Sequence, residues 1–564
     1  MARTHGTGIP GVRRPRRPRP VGRWRFAGLL HWQSKKFEGS TTSAEPWYNT
    51  SYSVENVTPS MIQQWIQKAP TDEKLHLPEP NIFIPKDLSL KEVHEKVPFP
   101  TILRETALSR LWYKPDFLFS TPKLRIIIDF HCPLSRQSPE AIISTDFFID
   151  LLVDYLEPYA YDAHITGLYY SIYLTSTGFQ VSLGGYNDKM RTLLNLVLKQ
   201  IANFEVKQNR FSALKEISVK DYQNFNFRQP YSQASYYVSL ILRDKNWPVA
   251  EKLEALLKLE SDSLAKFIPE FLSKTFLECY IQGNIEPSEA KSIAQEIEDT
   301  IFNAPNTMFK SMSPSQYLTR RVTMLENELK CYYQIEGLNQ KNENSSVVQY
   351  IQVHQDNASS NIKLQLFSLI ASQPAFNQLR TVEQLGYITS LSLRSDYGVQ
   401  ALQVVIQSTV KDPSYLDARV DEFFKMFESK MNELSDKDFK RNVKSLIDCK
   451  LEKFKNFWEE SDFYWGKIAA GTLKFDESEV ALLRELKKEE FVAFFDQYIK
   501  LNAPERRTIS VQVFSGNHST EFKKAVAEAD PPKTYRITDI FGFKRSSGPL
   551  YGSLSGGSGR ITMG

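Results

Sequence analysis

At 564 residues the chain is long enough for three to four domains of about 150 residues each. Its aromatic fraction of 12% provides for large apolar cores, and no apolar run reaches the ~20 residues that a membrane-spanning helix needs. The net charge of +4 is uneven: eight Arg and two Lys precede Phe37 without one acid, so the remainder carries −6 and a nucleic-acid role for the folded body is disfavoured.

Gly8 to Phe26, GIPGVRRPRRPRPVGRWRF, is rich in Arg and Pro. Pro10, Pro15, Pro18 and Pro20 forbid a continuous helix and favour an extended or polyproline II form. Residues 1–33 therefore read as a disordered arm. Their composition matches an organellar presequence, yet the prolines spoil the amphipathic helix that such a signal forms. Residues 34–103 read as a connector, which ends in the proline-dense LHLPEPNIFIPKDLSLKEVHEKVPFPTIL.

A pattern then occurs twice. The first copy, placed at 104–325, has a strand at LRIIIDFHC (Leu124 to Cys132) and a long helical stretch that stops near Gly167. Two alternating strands follow, LYYSIYLTST and GFQVSLGGYND, then helices at MRTLLNLVLKQIANF and NRFSALKEISVKDYQNF. The second copy, placed at 326–545, repeats this order. SVVQYIQVHQ is its strand, NIKLQLFSLIASQPAFNQLRTVEQLG its helical stretch, and YITSLSLRSD and VQALQVVIQST its hairpin. LDARVDEFFKMFESKMNEL and KDFKRNVKSLIDCKLEKF are its helices. Gly167 matches Gly386 and Phe211 matches Phe439, so a whole domain is duplicated. The fold class expected is α+β: two homologous domains, each a mostly antiparallel sheet with helices packed on one face. Residues 546–564 read as a Gly/Ser-rich flexible tail.

The chemistry-bearing residues are sparse. Cys132, Cys279, Cys331 and Cys449 make no CxxC pair and read as reduced core thiols. The eight histidines include no pair four residues apart, so neither H-x-x-E-H nor H-E-x-x-H can be written, and no metal ligands are assigned. His94-Glu95 is the nearest fragment, and KVPFP after it breaks any helix. His131 and Cys132 sit next to each other on a strand and point to opposite faces. His164 lies near a helix C-terminus, as a packed or capping residue. Asp412, Asp417, Asp421 and Glu422 read as solvated faces and turn residues.

FNQLRTVEQLGY, Phe376 to Tyr387, is more informative. Ser372 before Pro374 reads as the N-cap of its helix, Gly386 as the left-handed residue that ends it, and Tyr387 as the start of the next strand. Arg380 is open to two readings. It pairs with Glu383 or Gln384 at helical spacing while Tyr387 is a half-buried strand residue, or the two residues present donors to a substrate.

SQPAFNQLRTVEQLGYI closely resembles the C-terminal half of the insulinase-type zinc metalloproteases. So do EPWYNTSYS, LSRLWYKPD, GGYNDK, QPYSQASYYVSLIL and FYWGKI, in the same order, between about Ser34 and about Arg545. The resemblance implies domains three and four of a four-domain chamber protease, whose zinc is held in the first domain by H-x-x-E-H. It implies that Arg380 and Tyr387 hold substrate backbone and stabilise the oxyanion, in trans to a zinc-bearing N-terminal half or subunit. Peptides are the implied substrates and peptide catabolism the implied process. Zinc belongs to the complete enzyme, this chain alone is expected to be inactive, and a dimer is possible. The alternatives are a non-catalytic peptide-binding or regulatory subunit, or a truncated gene product. The compartment expected is cytoplasmic, or organellar: mitochondrion, chloroplast or peroxisome.

Overall fold

The computed structural model describes residues 31–68, 80–92, 96–303, 320–355, 357–471 and 478–551. The readings of the arm before residue 31, of His94-Glu95 and of the tail beyond residue 551 lie outside them. The chain divides into two compact units, residues 1–80 and 81–564. In the first, the two-residue strands Ser43–Ala44 and Ser51–Tyr52 pair antiparallel, and a helix spans Pro59–Lys68.

The larger unit holds both copies of the repeated pattern. The first runs through β1 (Thr101–Glu105), β2 (Ser109–Pro115), β3 (Lys123–His131), α1 (Pro139–Ile165), β4 (Leu168–Leu174) and β5 (Gly178–Tyr186). It continues with α2 (Met190–Ala202), α3 (Gln208–Asn224), α4 (Pro230–Leu242), α5 (Val249–Lys258), α6 (Ser261–Ser273), β6 (Phe276–Gly283) and α7 (Pro287–Phe302). Ser138 caps α1 by accepting the Ala141 N–H at 3.2 Å, and Pro139 takes the first helical position, where its missing N–H costs nothing. Gly167 takes a left-handed φ of +81° where α1 turns into β4, as its position implied. The strands lie in the order β1-β2-β6-β3-β5-β4, and only β2 and β6 run parallel.

The second copy runs through β7 (Lys330–Glu336), β8 (Ser345–Gln355), α8 (Ala358–Phe376), β9 (Ile388–Asp396) and β10 (Val399–Ser408). Then come α9 (Pro413–Asn432), α10 (Asp436–Lys450), α11 (Phe457–Ala470), α12 (Ser478–Glu485), α13 (Lys488–Tyr498), β11 (Arg507–Phe514) and β12 (Thr534–Arg536). Its order is β9-β10-β8-β11-β7-β12, with β7 parallel to both β11 and β12. Five strands correspond, β2-β6-β3-β5-β4 with β7-β11-β8-β10-β9, so the duplication holds in three dimensions. The fold class is α+β, with a mixed sheet in each copy.

Each sheet buries one face under its own helices. In the first copy Phe130 stacks on Phe179 at 4.2 Å, and Phe148 and Phe271 close over that pair. In the second, Phe367 meets Phe427 and Phe495 at 5.6 Å. Each such ring contributes about 1.5–3 kcal/mol by leaving water. To this single helical face the structure adds a second layer made by exchange. Ala234, Val238, Ile241 and Leu242 of α4, from the first copy, pack with Val348, Tyr350 and Val511 on the far face of the second sheet. In return Tyr464, Trp465 and Ile468 of α11, from the second copy, pack with Trp112, Ile127 and Tyr280 on the far face of the first. Beneath α11, Lys114 on β2 and Glu460 form an ion pair at 2.7 Å with both side chains fully buried. Gln282 on β6 donates to the second Glu460 oxygen at 2.6 Å.

Candidate functional site

The site grows out of the C-terminal end of α8. Asn357 caps this helix, its side-chain oxygen accepting the Ser360 N–H at 3.1 Å. Ser372 is therefore not the N-cap expected from Pro374. The helix runs straight through that proline, and the Ser372 hydroxyl donates to the carbonyls of Ser368 (2.6 Å) and Leu391 (3.0 Å). The next turn, Asn377–Val382, widens to π geometry, closed by the Glu383 N–H on the Gln378 carbonyl at 2.9 Å. Such wide turns recur at functional sites because they re-aim side chains that a regular helix would keep in line.

Buried Leu379 and Leu385 fix the turn in the core. Gln384, not Gly386, adopts the left-handed conformation, with φ 51°. Gly386 is needed for a different reason: a Cβ there would lie 1.8 Å from the Gln407 carbonyl oxygen on β10. The chain thus passes hard against the sheet before β9 begins at Ile388, one residue later than expected.

Arg380 and Tyr387 come together. The Arg380 guanidinium lies 4.8 Å from the Phe376 ring and 4.6 Å from the Tyr387 ring, a sandwich across the turn. Each such contact is worth roughly 0.5–1 kcal/mol at an exposed position. The helical pairing open to Arg380 is not made. Glu383 is instead gripped by Arg419 of α9, Nε to Oε2 at 2.7 Å and Nη2 to Oε1 at 2.9 Å, and also accepts from Gln378 at 2.8 Å. Arg419 holds the Glu383 carboxyl below its ordinary range. Among the described residues no carboxylate pairs with Arg380. Nor is Tyr387 half-buried: it is 82% exposed. The result is a permanent cation and a phenol, fixed by stacking and free to donate outward. The sequence reading missed Phe376 and Arg419 as the residues that hold this pair. The i, i+4 spacing of Phe376 and Arg380 carried a signal for the first; Arg419 lies on another helix, and no local spacing marks it.

The remaining residues singled out from sequence are scattered. His131 meets Asp129 at 2.8 Å, while the Cys132 thiol is buried against the Phe271 carbonyl, so the neighbours do point apart. Burial pushes that thiol up to about 11. His164 sits edge-on to Tyr169 at 5.1 Å in the last turn of α1. Asp412 caps α9, accepting the N–H groups of Ser414 and Tyr415. Asp417 is not solvated: it is buried, accepts from Ser510 at 2.7 Å, and shares Lys330 with Asp421, each at 2.6 Å. The two carboxylates raise the Lys330 ammonium above its ordinary value against the opposing effect of burial. This is a core network, satisfied because Gln349 donates 3.0 Å bonds to both acids. Among the described residues no three His, Cys, Asp or Glu side chains are grouped so as to hold a metal ion. Among them, too, no helix is long and apolar enough to cross a membrane.

Comparison with known proteins agrees with this architecture. The family described as the middle or third domain of peptidase M16 matches residues 27–255, beginning a few residues before the Ser34 limit read from the motifs. The PqqF-like C-terminal lobe domain 4 matches residues 366–465, which contain the π turn. The chain is 52% identical, over 93% of its length, to insulin-degrading enzyme-like 1, peroxisomal, of Arabidopsis thaliana, covering 54% of that protein. It is 35% identical, over 86% of its length, to insulin-degrading enzyme of Homo sapiens, covering 47% of it. The chain thus spans about half the length of the curated relatives it matches. The crystal structure of pitrilysin superposes with a TM-score of 0.76 at 19% identity, over 91% of this chain and 53% of that one, a likeness of fold.

Proposed function

We propose, for a chain that belongs to the M16 peptidase family and corresponds to the C-terminal half of its insulin-degrading-enzyme-like members, that it is the peptide-gripping half of a two-part metalloendopeptidase. One observation carries this reading: Arg380 is stacked between Phe376 and Tyr387, and among the described residues no carboxylate neutralises it. A cation and a phenolic donor held this way suit a peptide carbonyl whose oxygen gains charge during acyl transfer. Preorganised donors of this kind supply about 2–4 kcal/mol, because no reorganisation is needed as the charge develops.

Enzymes of the family are zinc-dependent. The described residues do not fit that metal, since none of their potential ligands converge. In our reading, zinc and the general base sit on an N-terminal half, and no step runs through a metal on this chain. The chain's part is to hold an extended peptide against that half and to donate from Arg380 and Tyr387. The peroxisomal relative favours the organellar compartment among those expected.

The test is to mix the chain with a zinc-bearing N-terminal half of an M16 enzyme and follow cleavage of a quenched extended peptide. The mixture should cleave far faster than either half. Peptide binding by the chain, with no gain in cleavage on mixing, would favour the regulatory-subunit alternative.

A further inference from the structure

Four strands edge the two large sheets, and three of them are blunted. β1 has a register shift between Ile102 and Arg104 and carries Arg104 and Glu105. β9 carries Arg394 and Asp396, and β12 is three residues long with Arg536. These are the usual devices that keep an edge from pairing with a passing chain. β4, LYYSIYL, has none of them: no charge, no proline, and an unbroken register with β5 from Leu168 to Leu174.

The direction of its free groups follows from the hairpin. The Thr175 N–H bonds the Gly178 carbonyl at 2.8 Å, which makes this a hydrogen-bonded pair. In an antiparallel ladder such pairs alternate, so Tyr169, Ser171 and Tyr173 bond to β5. Leu168, Tyr170, Ile172 and Leu174 then turn their N–H and C=O groups outward. Beside this edge lies a groove of about 500 Å³, bounded by α1 and β4. Val153 and Ala160 give it apolar lining, and Glu157 supplies its one acid among the described residues. Among the described residues no cation pairs with Glu157.

We infer that the α1–β4 groove binds an extended peptide as an added strand: apolar at alternate positions and basic beside Glu157. The outward groups of Tyr170 and Ile172 supply the main-chain hydrogen bonds, the groove takes every second side chain, and Glu157 selects a cation. This site is separate from Arg380 and Tyr387 and does not depend on a zinc-bearing half.

The probe is a fluorescent eight-residue peptide of alternating valine and serine between terminal lysines, titrated by anisotropy into the full chain alone. Tyr170→Pro removes an outward N–H that the sheet does not use, whereas Tyr170→Ala keeps it, and both remove the phenol. Tyr170→Pro should weaken binding roughly tenfold or more relative to Tyr170→Ala at equal thermal stability, because a strand donor is lost. A probe N-methylated at alternate amides should lose affinity similarly, and Glu157→Gln should lower affinity for the lysine-bearing probe. Equal binding by the proline and alanine variants would overturn the proposal, as would no binding at about 1 mM probe. So would a chain that self-associates until Tyr170→Pro separates it, because a second copy would then be the occupant.

Discussion

Glu460→Gln tests how the two copies are held together. The substitution keeps the side chain's size but leaves the Lys114 ammonium, with no exposed side-chain surface, facing a neutral amide. Among the described residues, Lys114 also meets the Pro115 carbonyl at 3.4 Å and the rings of Phe117 and Tyr464, 4.6 and 5.5 Å from the charge. None of these replaces a carboxylate. Breaking a fully buried pair from one side costs about 3–5 kcal/mol, because one desolvated charge is left uncompensated. The double variant Lys114→Met, Glu460→Leu removes both charges and should recover most of that loss. Lys114 belongs to the first copy and Glu460 to the second, so the whole transition should move as one in thermal denaturation of the full chain. Hydrogen exchange should show β3 and β8 losing protection together. A loss below about 1 kcal/mol would refute the reasoning, as would two transitions of which only one shifts.

Gly386→Ala should destabilise the chain by about 2–4 kcal/mol in denaturant unfolding, because its Cβ would meet the Gln407 carbonyl at 1.8 Å, backbone that cannot step aside. Glu278 on β6 gives a pH signature. It is buried opposite Asp129, and burial pushes its carboxyl from 4.5 up to about 7. The folded state therefore keeps a proton that the unfolded chain releases, so this contribution is complete below pH 4.5 and fades as pH rises to about 7. The stability of wild type relative to Glu278→Gln should fall by about 2–3 kcal/mol across that window; a flat difference would contradict the assignment. Arg419→Ala, which frees Glu383 and loosens the π turn, should cut turnover of a competent mixture several-fold with little change in substrate KM.

Much of the fold was legible because it is local. The hairpins β4–β5 and β9–β10 show in period-two alternation, and α2, α9 and α10 in their apolar stripes. What was missed is non-local. β6 returns to pair with β3 across some 150 residues, Leu277 lying opposite Phe130, and nothing near FLECYIQG announces that partner. QPYSQASYYVSLIL and FYWGKI stood out as motifs, but only three dimensions show them as the two exchanged helices, α4 and α11. Pro374 misled the reading of Ser372: the helix runs through this proline, and the Ser372 hydroxyl donates to the Ser368 carbonyl within it instead of capping a new start. Asp417 read as a surface acid because no local spacing marks a partner; its partners Lys330 and Ser510 come from other strands. At the candidate site Arg380 and Tyr387 were singled out through the motif. Their stacking, and the Arg419 clamp behind them, required the fold.

The central claim is that Arg380 and Tyr387 act on a substrate held between two halves. The direct measurement is kcat for a quenched peptide in the competent mixture, comparing wild type with Arg380→Ala and Tyr387→Phe. Each variant should lower kcat roughly tenfold or more, because a donor to the developing oxyanion is lost, while thermal stability stays within about 0.5 kcal/mol of wild type. Full activity in both variants, in a mixture that cleaves, would contradict the account and leave the pair a structural stack.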